Sequence, residues 1–589
     1  MKKQVLSLFI VLLASSMLFT ACTSNESKPS ASSAPSSAAN SNAGTSNSTA
    51  QTNTTAAVST KVTDLGTGII QASDPSKLPD SAKQRNDTFI AGLTEPSGAF
   101  TPHFHQSGYD GNVASVLFAP LVTVDEKGKI IPYLAEKWEI SKDQLTYKFH
   151  LNKDLKFSDG SPLTAEDVAF TLTILHDKNY DGGTDIFASH VKGGLAYKEG
   201  KATSVAGIKV IDPHTIQIET VEVNATALLT LGGQVLSKAY YGKDYKFGSL
   251  EYIRELHAKP VGAGPYKLDK HLPGQELRFT ANEHFFKGKP KIERFIYKTT
   301  EGDAFQFIET GEQDYSAFSA TQDNLDKLQK LGFLNLKLNT SSAYGYISIN
   351  HKKPYFKDKK LRQALIYGLD RKTIVEGVSQ GSAQVANIPT SPTSWSYTEE
   401  GINPYHYDAE KAKTLLDEAG WKEGSDGIRE KDGQKLVIRY LSSKSKGSDA
   451  LIAIAKENYS AIGIQFEPEQ FADFNALLAK VDGGDYDLAS FSTPMLLDPH
   501  SGVSGFTTEE AKGYSNPKVD QLIKEGISTL DIEKRKEVYK KLYQELNEDP
   551  PYIFYSYSKL LYAYNYRIKG LDPNPYRGIA TSLPLTSIE

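Results

Sequence analysis

The sequence predicts a mixed α/β or α+β fold, and three observations carry that reading. Leu145, Tyr147, Phe149 and Leu151 alternate with Thr146, Lys148 and His150, the two-residue period of a half-buried strand. Elsewhere apolar residues recur at helical spacing behind hydroxyl or acidic caps. The two kinds of segment mix without a regular strand–helix–strand period and without an internal repeat.

Element by element, the chain begins with Met1, Lys2 and Lys3 ahead of an apolar stretch from Val5 to Phe19, closed by Phe19-Thr20-Ala21-Cys22. About fifteen apolar residues are too few to span a bilayer comfortably, and after a basic start they read as an export signal. Ala21-Cys22 resembles the lipobox of bacterial lipoproteins, which implies a signal peptide over residues 1–21 and acylation of Cys22. Cys22 is the only cysteine, so neither an intramolecular disulfide nor a thiolate metal cluster can form. Residues 22–61 are then a lipidated Cys and a Ser/Thr/Asn/Ala-rich stretch too polar to bury a core. As a flexible tether it would have an rms span of ~35 Å. Nothing beyond residue 22 reaches roughly 18 uninterrupted apolar residues, so no later segment should cross a membrane.

From about Asn86 the composition becomes globular. Asp159-Gly160 makes a turn, and Thr164-Ala165-Glu166-Asp167 before Val168 starts a helix with Thr164 as cap. Ile216 and Ile218 alternate with Gln217 and Glu219 in another strand. In the second half Asp358, Asp408 and Asp531 each precede a helical apolar stripe, and Gly420 closes the second of these helices. Pro550-Pro551 ends the third, and Ile553 to Tyr557 reads as a strand.

The 589 residues carry 66 basic and 71 acidic side chains, a net charge of -5, with no basic run longer than Lys534-Arg535-Lys536. Nucleic-acid binding therefore has little electrostatic support. Tyr (32) and Phe (26) far outnumber Met (3), which suits contact with small molecules or peptides. There is no G-x-S-x-G elbow, no H-E-x-x-H helix and no G-x-x-x-x-G-K-[ST] loop, so no enzyme is expected. Gly262-Ala263-Gly264 runs straight into Pro265 and cannot open a helix as a dinucleotide loop must. His103 and His105 would share one face of an extended strand and could join a third ligand on a metal, but two exposed loop histidines are the expected reading. Asp177-Lys178-Asn179-Tyr180-Asp181-Gly182 starts like a calcium loop, but Ala188 stands where its bidentate Glu belongs, so a polar surface turn is expected. Tyr344-Gly345-Tyr346 and Trp395-Ser396-Tyr397 could line a cleft or pack in the core.

Several separated stretches, in order, resemble the peptide/nickel class of solute-binding proteins that serve ABC transporters. They are Tyr133-Leu134-Ala135-Glu136-Lys137-Trp138, Lys156-Phe157-Ser158-Asp159-Gly160-Ser161-Pro162, Pro260-Val261-Gly262-Ala263-Gly264-Pro265-Tyr266, Leu361-Arg362-Gln363-Ala364-Leu365, Asp370-Arg371 and Tyr407-Asp408-Ala409-Glu410. The resemblance implies a two-lobed, type II periplasmic-binding-protein-like α/β fold with an enlarged first lobe and the ligand cleft between lobes. By it, residues 86–300 plus 553–589 form lobe I with an extra subdomain and 301–552 form lobe II. The crossings would lie near Thr299-Thr300 and Tyr552-Ile553, with Trp138 and Trp421 in the core.

The resemblance further implies an extracytoplasmic receptor, lipid-anchored to the bacterial cell membrane, that captures oligopeptides and delivers them to an ABC-transporter permease, as a monomer and without a cofactor. Cleft residues would be Tyr109 and Asn112 in the first lobe and Tyr344, Asn350, Trp395, Phe491, Thr493 and Asp498 in the second. Many members place an Asp near this point to meet the ligand's ammonium. The chain departs there: Leu496 and Leu497 occupy the region of the expected acid, and Asp498 matches a separate acidic-Pro pair. Rival readings are the same fold holding a nickel chelate, haem or sugar, and an anchored surface hydrolase.

Overall fold

Each cap read from the sequence starts a helix in the computed structural model, which describes residues 61, 68–105, 107–299, 303–472, 474–493, 496–511, 513–573 and 575–589. The expected signal peptide, Cys22 and nearly all of the tether lie outside the described residues. The helices that matter below are α1 (Gly108–Leu117), α2 (Ala165–Leu175), α3 (Lys359–Tyr367), α4 (Arg371–Ser379), α5 (Ala409–Glu418), α6 (Pro517–Ile527) and α7 (Ile532–Glu548). Thr164 and Asp167 close a capping box on α2, satisfying donors that the first turn leaves unpaired. Asp358, Asp408 and Asp531 cap α3, α5 and α7, and Gly420 follows α5 at φ +86°, where a side chain would be strained. The strand predicted from Leu145 runs from Thr146 to Leu151 and buries Tyr147, Phe149 and Leu151.

The larger sheet has eight strands, in the spatial order Ile69–Ile70, Leu334–Thr340, Lys559–Asn565, Tyr315–Ser319, Thr88–Gly92, Arg294–Lys298, Glu276–Ala281 and Tyr266–Leu272. Thr88–Gly92 pairs in parallel with Arg294–Lys298, whereas Leu334–Thr340 and Lys559–Asn565 are antiparallel. A separate four-stranded sheet, Ala135–Ile140, Thr146–Leu151, Thr215–Glu219 and Ile208–Asp212, packs with α2 over its own core. A five-stranded sheet follows in the order Gln465–Phe471, Val437–Ser443, Leu488–Ser492, Gly345–Ile349 and Tyr552–Ser556.

The apolar cores divide with the sheets. Phe89, Phe295, Tyr315 and Tyr562 share one core with α1, while Ile347, Leu365, Leu416 and Ile553 share another that contains no residue of the larger sheet. The molecule is thus two hydrophobic bodies joined by two short crossings, at residues 341–344 and 557–558. This corrects the expected boundaries. The end of Arg294–Lys298 looks like an exit, but the chain returns and adds Tyr315–Ser319 and Leu334–Thr340 to the same sheet before leaving it. Residues 303–340 therefore belong with the first body, and Tyr552–Ser556 with the second. Trp421 is buried at 3% exposure, whereas Trp138 is only half-buried against the four-stranded core.

Gly262 and Gly264 have a physical reason that their sequence left open. The Gly264 amide donates to Leu117 O at 2.9 Å, and a Cβ on Gly264 would stand 2.4 Å from the Leu117 carbonyl carbon. One on Gly262 would stand 2.2 Å from Leu117 O. Only glycine lets this segment lie against the end of α1, and so fix the helix that carries Tyr109 and Asn112.

Candidate functional site

The two bodies meet through direct hydrogen bonds at more than one place. The Ala225 amide donates to Ile527 O at 2.8 Å, and the Leu530 amide to Gln144 Oε1 at 3.1 Å. Nearer the crossings, Tyr576 Oη donates to Thr393 O at 2.8 Å and Ser342 Oγ to Pro575 O at 3.0 Å. Between these last contacts lies a small hollow of about 10 Å³, room for roughly one water. One side is a run of hydroxyls, Thr390, Ser391, Thr393 and Ser394, together with Ser342. Trp395, Leu496, Leu497, Pro499 and Tyr576 supply apolar surface, and Asp498 the single charged group among the described lining residues.

Asp498 is bound before any ligand arrives. Arg535 Nη1 and Nη2 donate to its two oxygens at 2.9 and 2.8 Å, a bidentate fork, and Oδ1 also caps the short helix Pro499–Val503 by accepting the His500 amide. The guanidinium carbon stands 4.9 Å from the Trp395 ring centroid, and Trp395 meets Tyr539 edge-on at 5.9 Å. Arg535 and Asp498 are both buried, so the pair is shielded from solvent screening.

Trp395 and Asp498 are thus the two expected cleft residues that the fold brings together at the hollow. The other six are placed differently. Tyr344 is buried, with its hydroxyl donating to Gly502 O at 3.0 Å. Its amide donates to Thr493 Oγ1 at 3.1 Å and the Thr493 amide returns a bond to Tyr344 O at 3.0 Å, so the two close the end of a strand pair beside Ser342. Phe491 is half-buried between Tyr346 and Phe474. Asn350 holds a turn, donating to Gly484 O and Tyr486 O at 3.2 and 2.8 Å. Tyr109 and Asn112 are half-buried on α1 and do not line the hollow.

The metal and calcium readings each meet a side chain that is already engaged, His103 in the first and Asp177 in the second. His103 sits at φ +69°, with Nδ1 2.9 Å from Thr184 Oγ1 and Nε2 2.8 Å from Gln234 O. Burial pushes its pKa down to about 4, so it is a neutral, structural imidazole at pH 7. Among the described residues no group of three or more His, Cys, Asp or Glu could hold a metal ion. The Asp177 carboxylate accepts from the Asn179 amide, Tyr245 Oη and the Gly248 amide, each at 2.8 Å. That leaves it a turn and loop anchor. No helix of the described residues is long and apolar enough to cross a membrane.

Sequence reasoning missed the hydroxyl run, Tyr576 and Arg535. Thr390-Ser391-Pro392-Thr393-Ser394 directly before Trp395 was a visible signal, because hydroxyls beside an aromatic suit a wet binding surface. Arg535 had none, since its partner lies 37 residues away.

Comparison with known proteins fits this architecture. Residues 129–514 match the family model described as bacterial extracellular solute-binding proteins, family 5. The chain is 28% identical over 517 residues to the oligopeptide-binding protein AppA of Bacillus subtilis, covering 86% of this chain and 92% of that one. It is also 28% identical over 532 residues to heme-binding protein A of Haemophilus influenzae, covering 86% and 93%. The structure of Bacillus subtilis AppA in complex with a nonapeptide matches at a TM-score of 0.71 and 26% identity, covering 85% of this chain and 99% of that one.

Proposed function

This chain belongs to the family 5 bacterial extracellular solute-binding proteins, and on that premise we propose that it captures oligopeptides between its two bodies and hands them to an ABC-transporter permease. The single observation that carries the reading is the junction itself, where a small hollow is walled by hydroxyls, aromatics and aliphatic groups from both bodies and from the crossing at 341–344. Such a surface suits a main chain, whose amides are the same in every peptide, with side chains set against apolar walls. The protein needs no chemistry of its own. Contacts made to both bodies at once favour the shut arrangement over an open one, and only such differential contacts can move that equilibrium. Micromolar affinity, about -8.2 kcal/mol, is enough to hold the guest and still release it. Cys22 would carry the lipid anchor outside the cytoplasmic membrane, with residues 23–61 as tether to a monomeric receptor.

A second reading has one observation in its favour, the haem-binding relative at the same identity as the peptide-binding one. Isothermal titration separates the two. Titrated with a mixed oligopeptide library, the protein is expected to give saturable heat, and titrated with haem or a nickel chelate it is expected to give none. Heat with haem or the chelate and with no peptide would contradict the peptide reading.

A further inference from the structure

The turn between α6 and α7 leaves two backbone groups that its own helices do not use. Ile527 is the last residue of α6, so its carbonyl has no partner inside that helix. Leu530 stands one residue before Asp531, the cap of α7, so its amide lies outside that helix. The rest of the turn is tied down within the second body. Ser528 Oγ donates to Lys524 O at 2.6 Å, the Asp531 amide to Thr529 Oγ1 at 3.3 Å, and Arg535 Nε to Gly526 O at 2.8 Å.

The four-stranded sheet of the first body carries the complement. Its Ala225 amide donates to Ile527 O at 2.8 Å, and its Gln144 Oε1 accepts the Leu530 amide at 3.1 Å. Local bonds set both groups in place. Gln144 lies in the turn between Ala135–Ile140 and Thr146–Leu151, where its amide donates to Ser141 O at 2.9 Å and Asp143 Oδ1 accepts the Leu145 amide at 3.1 Å. Ala225 follows Asn224, which is buried, with Nδ2 donating to Ala188 O and Oδ1 accepting the Thr226 amide, each at 2.8 Å. Gln144 has φ +62°, the left-handed region that favours glycine. Glutamine there strains the turn, and what its side chain adds is an acceptor that reaches the other body.

We propose that Gln144 and Ala225 form a latch: the four-stranded sheet grips the α6–α7 turn when the two bodies shut, and so sets the balance between shut and open forms through groups spent on each other and not on the guest. The proposal rests on the peptide reading above and adds a regulation to it. A latch favours the shut form for every guest alike, so it scales all affinities by one factor, whereas a cleft contact discriminates among guests.

The test compares the full chain with Gln144→Gly and Gln144→Met. Glycine suits the backbone and removes the side chain, while methionine keeps the length and replaces the amide oxygen with a weakly accepting sulfur. Two oligopeptides of unrelated sequence, each shown by titration to bind the unaltered protein, are titrated into all three. Each variant is expected to bind both peptides about three- to tenfold more weakly, as befits one neutral hydrogen bond, and by the same factor to within about twofold. The urea midpoint of peptide-free Gln144→Gly is expected not to fall, because glycine relieves the turn and the deleted bond belongs to the shut form. A lowered midpoint with unchanged affinities would make Gln144 merely structural and overturn the latch. Weakening of one peptide with the other spared would overturn it too. No binding by any peptide to the unaltered protein would instead sink the peptide reading, and the latch with it.

Discussion

Arg371→Met is expected to lower the free energy of unfolding by about 3–5 kcal/mol. Arg371 is 4% exposed, and its guanidinium has no carboxylate partner among the described residues. It is held by neutral oxygens: Nη1 donates to Ala386 O and Phe554 O at 2.8 and 2.7 Å, and Nη2 to Asn387 Oδ1, Pro404 O and Tyr405 O at 3.0, 2.9 and 3.1 Å. One side chain thereby ties the start of α4 to two loops and to the strand Tyr552–Ser556. Burial pushes its pKa down to about 10, which still leaves it charged at neutral pH. Methionine fills much of the volume but leaves these five acceptors without donors in a site that excludes water, and each orphan costs about 1–3 kcal/mol before relaxation. Lysine is expected to recover only part of the loss, since an ammonium has three donors and no planar fork. Urea unfolding measures it: the midpoint should fall with little change in slope, and a shift under about 1 kcal/mol would contradict the account.

Arg535→Leu should have a comparable effect for a different reason. It removes the partner from a buried ion pair and strands the Asp498 charge, a change that typically costs about 3–5 kcal/mol. It also takes the cation from the faces of Trp395 and Tyr539. The control is the double variant Arg535→Leu with Asp498→Asn. Asparagine keeps an oxygen for the His500 amide while removing the stranded charge, so the double variant should be more stable than Arg535→Leu alone by at least about 1 kcal/mol. If the two substitutions simply added, the pair would not be coupled, which would contradict the account. The two sites are distinct, so their effects bear separately on the second body and on the junction.

What could be read from the chain was local. Thr164, Asp358, Asp408 and Asp531 cap helices through bonds to residues two or three positions away, and such bonds are written in the neighbouring sequence. The alternation from Leu145 to Leu151 is equally local, because one buried face imposes it. Sheet membership is not. Tyr315–Ser319 and Leu334–Thr340 find their partner in Lys559–Asn565, more than two hundred residues on, and no period in either segment announces that pairing. The expected crossing near Thr299 was displaced for that reason. The site divides the same way. Trp395 was legible as an aromatic that could line a cleft, whereas the hydroxyls before it were passed over and Asp498 could be placed only once Arg535 on α7 was seen to hold it. Tyr344 and Asn350 carry polar groups that suit a ligand, but carbonyls of the fold take those groups first.

The central claim is that a guest shuts two separately packed bodies, joined at residues 341–344 and 557–558, and that contacts such as Ala225 to Ile527 and Gln144 to Leu530 belong to the shut arrangement. Small-angle scattering of the purified protein with and without saturating oligopeptide tests it most directly. The account predicts a smaller radius of gyration and a shorter maximum dimension when peptide is bound. Superimposable profiles, in the presence of a peptide shown by titration to be bound, would contradict it.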